Sequence, residues 1–278
     1  MPSAIPSRSF RLPGFGLSLG ITILWLSLIV MIPLAAVFVR SLGDGWGAFW
    51  AAAGSPRAMA AYRLSFGAAG IAAAINCVAG LLVAWVLVRY RFIGRRLLSA
   101  MIDLPFALPT AVAGIALTAL YADTGPMGKI LAAADLPVAY QPAGVVVALT
   151  FIGLPFVVRS VEPVLADLSG EMEEAALTLG AGRLQTFWRV ILPAIAPALA
   201  TGFALAFARG AGEYGSVIFI AGNMPYISEI APLLIVTQLE EYDYSGAAAI
   251  ACVMLLISFA LLLLLGLFQL WQRRRRPM

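Results

Sequence analysis

Long apolar runs with few or no charges constrain this chain more than any other feature of its sequence. The first covers residues 17–39, close to the length of about 20 residues that an α-helix needs to cross a bilayer. Further runs follow at residues 64–88, 100–121, 142–158, 198–221 and 247–270. In lipid, backbone polar groups find no water, so such runs form helices whose hydrogen bonds are internal. The sequence therefore predicts an all-α membrane protein with six transmembrane helices.

Composition excludes several classes of protein. Of the residues, 62% are hydrophobic and only 12% are charged, which leaves no room for a sizeable soluble domain. Cys77 and Cys252 lie inside apolar runs, so we expect free thiols and no disulfide. The chain has no histidine, which excludes Ser-His-Asp catalysis and histidine zinc sites. We expect no catalytic residue, no metal and no cofactor in this chain.

Basic residues are unevenly divided between the two ends of the predicted helices. One set of ends carries Arg8, Arg11, Arg89, Arg91, Arg95, Arg96, Arg159, Arg183, Arg189 and Arg273 to Arg276. The other set carries only Arg40, Arg57, Arg63 and Lys129. Since loops rich in arginine and lysine stay in the cytoplasm, both termini are predicted to be cytoplasmic. We expect a cytoplasmic N-terminus at residues 1–16, one transmembrane domain at 17–270 and a cytoplasmic basic tail at 271–278.

The two terminal segments each have a competing interpretation. Residues 17–39 are longer than the apolar core of a signal peptide, roughly 7–15 residues, so we expect a retained first span. The arginines at 273–276 directly follow an apolar run. This position is more typical of a topological anchor than of a nucleic-acid patch.

A polar segment at residues 163–196 interrupts the apolar pattern and says most about function. We call it the EAA segment; its centre, residues 174–193, reads EAALTLGAGRLQTFWRVILP. Ser169 is a candidate N-cap, and the carboxylates that follow suit the positive end of a helix dipole. Gly180 and Gly182 are predicted to end this first helix, because glycine adopts a left-handed C-cap at low cost.

A second short helix is predicted to follow in the EAA segment. Its apolar residues share one face by helical spacing: Leu184, Phe187, Trp188 and Ile191. Pro193 is predicted to end it. Two short helices at an angle suit a partner surface, but a helix-turn-helix DNA reader and an amphipathic linker are alternatives. The DNA reader is disfavoured because the flanking apolar runs leave no third helix to complete such a domain.

The third apolar run opens with a proline-rich stretch, DLPFALPT at residues 103–110. Pro105 and Pro109 prevent a regular helix start. Irregular backbone at membrane depth is tolerated only where it is buried in protein or lines a cavity. The stretch is therefore either a kink that lines a pathway or a kink that serves packing. Thr110 and Gly114 share one face, which suits close helix packing and equally a polar passage.

Arg209 and Glu213 place opposite charges four residues apart in the fifth run. At this spacing they can pair along a helix. Charges inside a membrane normally face protein or water and mark a pathway; a structural ion pair is the alternative. The glycines near Arg209 do not form a phosphate-binding loop, because the Walker lysine is missing. The only lysine of the chain, Lys129, is predicted to lie on the opposite side of the membrane. The candidate pathway or gate residues are Pro105, Pro109, Thr110, Arg209 and Glu213.

The EAA segment resembles the EAA loop of ABC importer permeases. The matching positions are Glu174, Ala175, Ala176, Gly180, Val190, Leu192 and Pro193, with Val190 where isoleucine is usual. In that family the loop forms coupling helices that dock into a groove on a cytoplasmic ATPase subunit. The resemblance implies that these residues and Arg183 form an ATPase-coupling loop here.

Other stretches resemble the sulfate/thiosulfate permeases, in particular the CysT-type subunit. They are LPGF at residues 12–15, RYRF at 89–92, DLPFALPTAVAG at 103–114, EYGSVIFIAGNMPY at 213–226 and LEEYDY at 239–244. The resemblance implies a type I ABC importer permease with a MetI-like fold, embedded in the lipid of the bacterial inner membrane. It also implies a permease subunit without an ATPase site of its own.

The family implies three protein partners and no nucleic acid. A second, CysW-like permease would form the other half of the pore, and a dimer of ATPase subunits, holding ATP and Mg, would drive it. A periplasmic sulfate/thiosulfate-binding protein would deliver the anion. Closure of the ATPases would move the EAA helices and switch the pore between inward and outward access.

Three alternative functions compete with this interpretation of the sequence. The related molybdate/tungstate permeases share the EAA loop but lack the stretch at residues 239–244. An ion-coupled secondary transporter would use Arg209 and Glu213, although no acidic or histidine relay crosses the other runs. A membrane-embedded enzyme would need a catalytic set that the sequence does not supply.

Overall fold

A computed structural model describes residues 14–168 and 170–274 of the chain. Every regular element in these residues is helical, as predicted. The helices are α1 (Phe15–Ser41), α2 (Gly45–Ala53), α3 (Pro56–Arg89), α4 (Arg95–Ile102), α5 (Leu104–Ala107), α6 (Thr110–Tyr121), α7 (Pro126–Ala132), α8 (Pro142–Asp167), α9 (Gly170–Thr178), α10 (Arg183–Ala211), α11 (Val217–Ile220), α12 (Ala231–Glu240) and α13 (Tyr244–Arg274). Among them α1, α3, α8, α10 and α13 are long and apolar enough to cross a bilayer.

Some sequence predictions fall on residues outside this description. They are the N-cap role of Ser169 and the topological roles of Arg8, Arg11, Arg275 and Arg276.

Three long helices, α3, α8 and α10, pack against one another and form the core. Small residues bring their backbones close. A Cβ on Gly80 would lie 2.8 Å from Val157 Cγ1, and one on Gly202 would lie 2.8 Å from Val157 Cα. Asn76 is fully buried beside Gly153 in the same core. Glycine at helix crossings is typical of membrane bundles, where close van der Waals packing replaces the hydrophobic effect.

Helix α13 closes one side of the bundle. It packs against the second half of α1, against α2 and against α12. On α2, Phe49 is buried against Ala249 and Cys252 of α13. Cys252 and Cys77 are both free, which confirms the prediction of unpaired thiols.

Proline does not end two helices where the local rule predicts that it should. The fourth run is predicted to end at residue 158, but α8 continues through Pro155 and Pro163 to Asp167. The prediction was wrong because α8 lies between α3 and α10, and Val157, Val158 and Val161 are fully buried there. Packing against both neighbouring helices keeps α8 helical at Pro155 and Pro163, although each proline lacks a backbone N–H donor.

Pro193 likewise does not end its helix, contrary to prediction. A π-helical turn over Phe187–Ile191 precedes it, and α10 then runs on to Ala211. A proline has no N–H and its ring collides with the carbonyl four residues earlier. The wider π-helical turn in front of Pro193 accommodates both the missing N–H and the bulk of the ring. The second arm of the EAA segment and the fifth run therefore form one continuous helix. Pro33 in α1 follows a π-turn at Ser27–Met31 in the same way.

The third run is broken, as its prolines predict. Helix α4 ends at Ile102, α5 spans four residues, and α6 begins only at Thr110. Between them Leu108 and Pro109 are extended, with ψ of 135° and 132°. A residue before proline is pushed away from helical geometry, which explains the position of the break.

Candidate functional site

Arginines lie at both ends of α3. At its C-terminal end, Arg89, Arg95 and Arg159 line one cleft of about 630 Å³. At its N-terminal end, Arg57 forms a bidentate pair with Glu229, Nε–Oε2 2.8 Å and Nη2–Oε1 2.7 Å. The fold thus places these basic residues on two sides, as the charge pattern of the sequence requires.

The first arm of the EAA segment, α9, ends as its glycine predicts. Gly180 has φ +81°, the left-handed conformation that favours glycine. The Ala181 N–H donates to the Ala176 carbonyl at 3.0 Å and so satisfies one orphan group of the helix end. Gly182 was also expected to end this helix, but it is extended and immediately precedes α10.

The second arm was predicted to present a single apolar face, and this prediction is wrong. Ile191 is buried and Phe187 half-buried, whereas Leu184 and Trp188 are exposed. These side chains form two neighbouring i, i+4 pairs, and the start of α10 packs only one of them against the bundle. Leu179, the residue after the end of α9, is 87% exposed as well. We call Leu179, Leu184 and Trp188 the apolar tip.

The candidate coupling residues differ in burial. Glu174, Ala175, Gly180 and Arg183 are exposed, while Ala176 is buried beneath them. Val190, Leu192 and Pro193 are half-buried along the start of α10. The motif therefore combines a solvent-facing edge with residues that anchor it to the bundle.

Arg209 and Glu213 form the expected ion pair, although Glu213 lies just beyond the end of α10. The Glu213 side chain is 2% exposed and that of Arg209 is 36% exposed. Glu213 Oε1 also accepts hydrogen bonds from the Ser216 N–H at 3.0 Å and the Ser216 hydroxyl at 3.1 Å. The carboxylate is thus committed to holding the irregular segment after α10, and the guanidinium is the more accessible charge.

The broken third run meets this irregular segment. A Cβ on Gly215 would lie 2.3 Å from Thr110 Oγ1, and one on Gly114 would lie 2.4 Å from the Ser216 carbonyl oxygen. Thr110 is half-buried at the start of α6, directly after the exposed Pro109. The fold therefore brings together the two stretches that the sequence singled out as pathway candidates.

Replacing Gly114 with alanine is expected to lower stability by about 1–3 kcal/mol, because the new methyl group must displace the Ser216 backbone. Gly212→Ala is the matched control, since nothing lies within 4 Å of a Cβ there. Thermal unfolding of the purified variants measures the difference. Equal midpoints for the two variants would contradict the close contact between α6 and this segment.

The sequence did not reveal the role of Arg159. It donates from Nε to Asp103 Oδ1 at 3.0 Å, from Nη2 to the Ser99 carbonyl at 3.1 Å and from Nη1 to Glu162. This guanidinium ties α8 to the break between α4 and α5. Of these contacts, the sequence pattern indicates only the i, i+3 pair of Arg159 and Glu162. The other partners, Asp103 and Ser99, are 56 and 60 residues away in the sequence.

Comparison with solved structures establishes the fold class. A bacterial ABC transporter that imports the acidic polysaccharide alginate aligns over 95% of this chain and 97% of its own, with a TM-score of 0.76 and 15% identity. The inward-facing MetNI methionine ABC transporter aligns over 76% of this chain and 94% of its own, with a TM-score of 0.58 and 16% identity. At such identity the likeness shows the fold alone, that of ABC importer permeases.

Sequence relatives are far more similar. The chain is 48% identical to the sulfate transport system permease protein CysT of Salmonella typhimurium over 96% of each chain. It is 47% identical to the CysT protein of Synechocystis over 99% of this chain and 97% of the relative. Residues 76–276 match the family described as the binding-protein-dependent transport system inner membrane component. These findings confirm the predicted multi-pass inner-membrane permease, and the chain belongs to this family and, within it, to the CysT-type permeases.

Proposed function

We propose that this chain is the permease subunit of an ATP-driven sulfate importer and forms half of its translocation pathway. The observation that carries this function is the 48% identity to a sulfate transport permease over 96% of both chains. The proposal includes six crossings of the membrane, with the broken α4–α6 region as the third, and a cytoplasmic location for residues 1–16 and 271–278. It also includes thiosulfate as a second substrate.

The EAA segment is the proposed site of coupling to an ATPase. Its exposed residues include Glu174, Ala175 and Gly180 as well as the three side chains of the apolar tip. Apolar side chains exposed together on a water-facing loop mark a surface that a partner covers. The partners are two ATPase subunits that hold ATP and Mg, a second CysW-like permease and a periplasmic sulfate-binding protein.

The proposed pathway passes the junction of α6 with the segment after α10. A doubly charged oxyanion can be held by hydroxyl and backbone N–H donors. Arg209 adds a partly exposed positive charge, and its pairing with Glu213 limits how tightly an anion binds. Weak binding suits a transient passage, because the ion must leave as readily as it enters.

Reconstitution of the four components in proteoliposomes tests the function. We expect ATP hydrolysis and uptake of labelled sulfate to rise together when sulfate-loaded binding protein is added. A parallel series with thiosulfate and molybdate separates the substrate classes. Sulfate uptake by this chain alone, or stimulation by molybdate and not by sulfate, would contradict the proposal.

A further inference from the structure

One ion pair joins the EAA segment to the core of the bundle. Arg89, the last residue of α3, donates from Nη2 to Glu173 Oε1 on α9. The two side chains are 24% and 28% exposed, so the pair is only partly open to solvent. The guanidinium also lies over the ring of Trp85, one turn earlier on α3, at 5.6 Å from the ring centroid. Arg89 is therefore steadied by its own helix where it reaches across to α9.

Trp85 itself contacts the other arm of the EAA segment. Its ring meets that of Phe187 edge to face, with centroids 5.9 Å apart and an interplanar angle of 74°. Phe187 opens the π-turn near the start of α10. Two neighbouring side chains at one end of α3 thus hold both arms, α9 through Glu173 and α10 through Phe187.

The arms are not packed continuously against α3. A cleft of about 250 Å³ lies between the two arms beside Trp85, and Leu177 and Thr186 are among the residues that line it. Protein interiors otherwise contain few voids larger than a water molecule. Direct contact between α9 and α3 is therefore concentrated in the Arg89–Glu173 pair, while α9 also packs against the start of α10.

Helix α3 is suited to carry such a displacement across the bundle. It has 34 residues without interruption, a length of about 50 Å at 1.5 Å per residue. At its far end Arg57 pairs with buried Glu229, and the Ser65 hydroxyl accepts a bond from the Ala231 N–H at 2.8 Å. One rigid helix is thus bonded to the EAA segment at one end and to the start of α12 at the other.

We propose that the Arg89–Glu173 pair is the tether that transmits movement of the EAA segment to α3, and that Trp85 positions Arg89 for this task. The proposal rests on the proposed function, because a tether has work to transmit only if an ATPase moves the EAA segment. It assigns the two adjacent glutamates different roles. Glu174 is exposed toward the partner, whereas Glu173 faces its own permease.

Two measurements on Glu173→Gln test the tether. In the purified permease, amide hydrogen exchange across residues 170–178 is expected to speed up, because the bond from α9 to α3 loses its ionic character and is weakened. In the reconstituted complex, the sulfate transported per ATP hydrolysed is expected to fall about fivefold or more, while co-purification of the ATPase is unchanged. The swap Arg89→Glu with Glu173→Arg should restore the ratio to within about twofold. Arg96→Gln is the matched control, since Arg96 is exposed and has no ion pair within the described residues.

Each contrary result has a defined meaning. Unchanged exchange in α9 or an unchanged ratio of transport to hydrolysis would overturn the tether. Loss of ATPase co-purification with Glu173→Gln would also overturn it, because that result makes Glu173 a docking residue. If exchange responds but the wild-type complex shows no sulfate-stimulated hydrolysis, the proposed function fails while the physical link between α9 and α3 stands.

Discussion

Replacing Leu179 with glutamate is expected to weaken association with the ATPase by about tenfold or more, the loss typical of an interface hot spot. Leu179 is 87% exposed at the end of α9 and lies in no internal packing that the substitution would disturb. A carboxylate there would be desolvated on docking without a partner, which adds a penalty to the lost apolar contact. Co-purification of the ATPase with the tagged permease measures the effect.

Ile93→Glu provides the matched control for this substitution. Ile93 is fully exposed in the turn between α3 and α4, outside the EAA segment. We expect this variant to retain the ATPase and the Leu179 variant to lose it, with equal amounts of folded permease. Equal retention by both variants would show that the apolar tip is not the docking surface.

Replacing Arg209 with methionine is expected to reduce sulfate uptake by about tenfold or more while the complex still assembles. The arginine is the accessible member of its pair, whereas Glu213 keeps two hydrogen bonds from Ser216 that do not depend on it. The irregular segment after α10 should therefore persist when the positive charge is removed. Uptake of labelled sulfate and the yield of intact complex are measured together.

The double variant Arg209→Met, Glu213→Gln separates two roles of the arginine. If Arg209 attracts the anion, uptake stays low in the double variant, because the positive charge is still missing. If Arg209 only neutralises buried Glu213, removing both charges should restore uptake and thermal stability. Restored uptake would overturn the pathway role and leave a structural ion pair, the alternative that the sequence also permits.

Several features of the fold could be predicted because they depend on neighbouring residues. Gly180 ends α9 in the left-handed conformation, and the break before Thr110 lies where Pro105 and Pro109 exclude a regular helix. In both cases the cause is local: glycine adopts a backbone conformation that other residues avoid, and proline excludes the helical hydrogen bond and clashes with the preceding turn. Free thiols at Cys77 and Cys252 followed from apolar surroundings in the same way.

Other predictions failed where tertiary packing outweighs a local rule. Pro193 does not end its helix, because a π-turn precedes it in α10. Helix α8 runs past the predicted end of the fourth run at residue 158, because it is held between two other helices. Spacing alone placed Phe187 and Trp188 on one apolar face, but only Phe187 is packed against Trp85. The local sequence does not predict which of the two apolar i, i+4 pairs a neighbouring helix covers.

The sequence by itself determined the helical membrane fold, the position of the EAA segment and its family. The length of the apolar runs, the uneven distribution of charge and the spacing of glycine and proline are local properties of the chain. Their effects do not depend on which helices pack together. Only the tertiary structure decided that Thr110 meets Gly215, that Arg159 binds Asp103 and that Arg89 reaches Glu173. Those contacts join residues 56 to 105 positions apart, and the crossing of close-packed helices sets such distances.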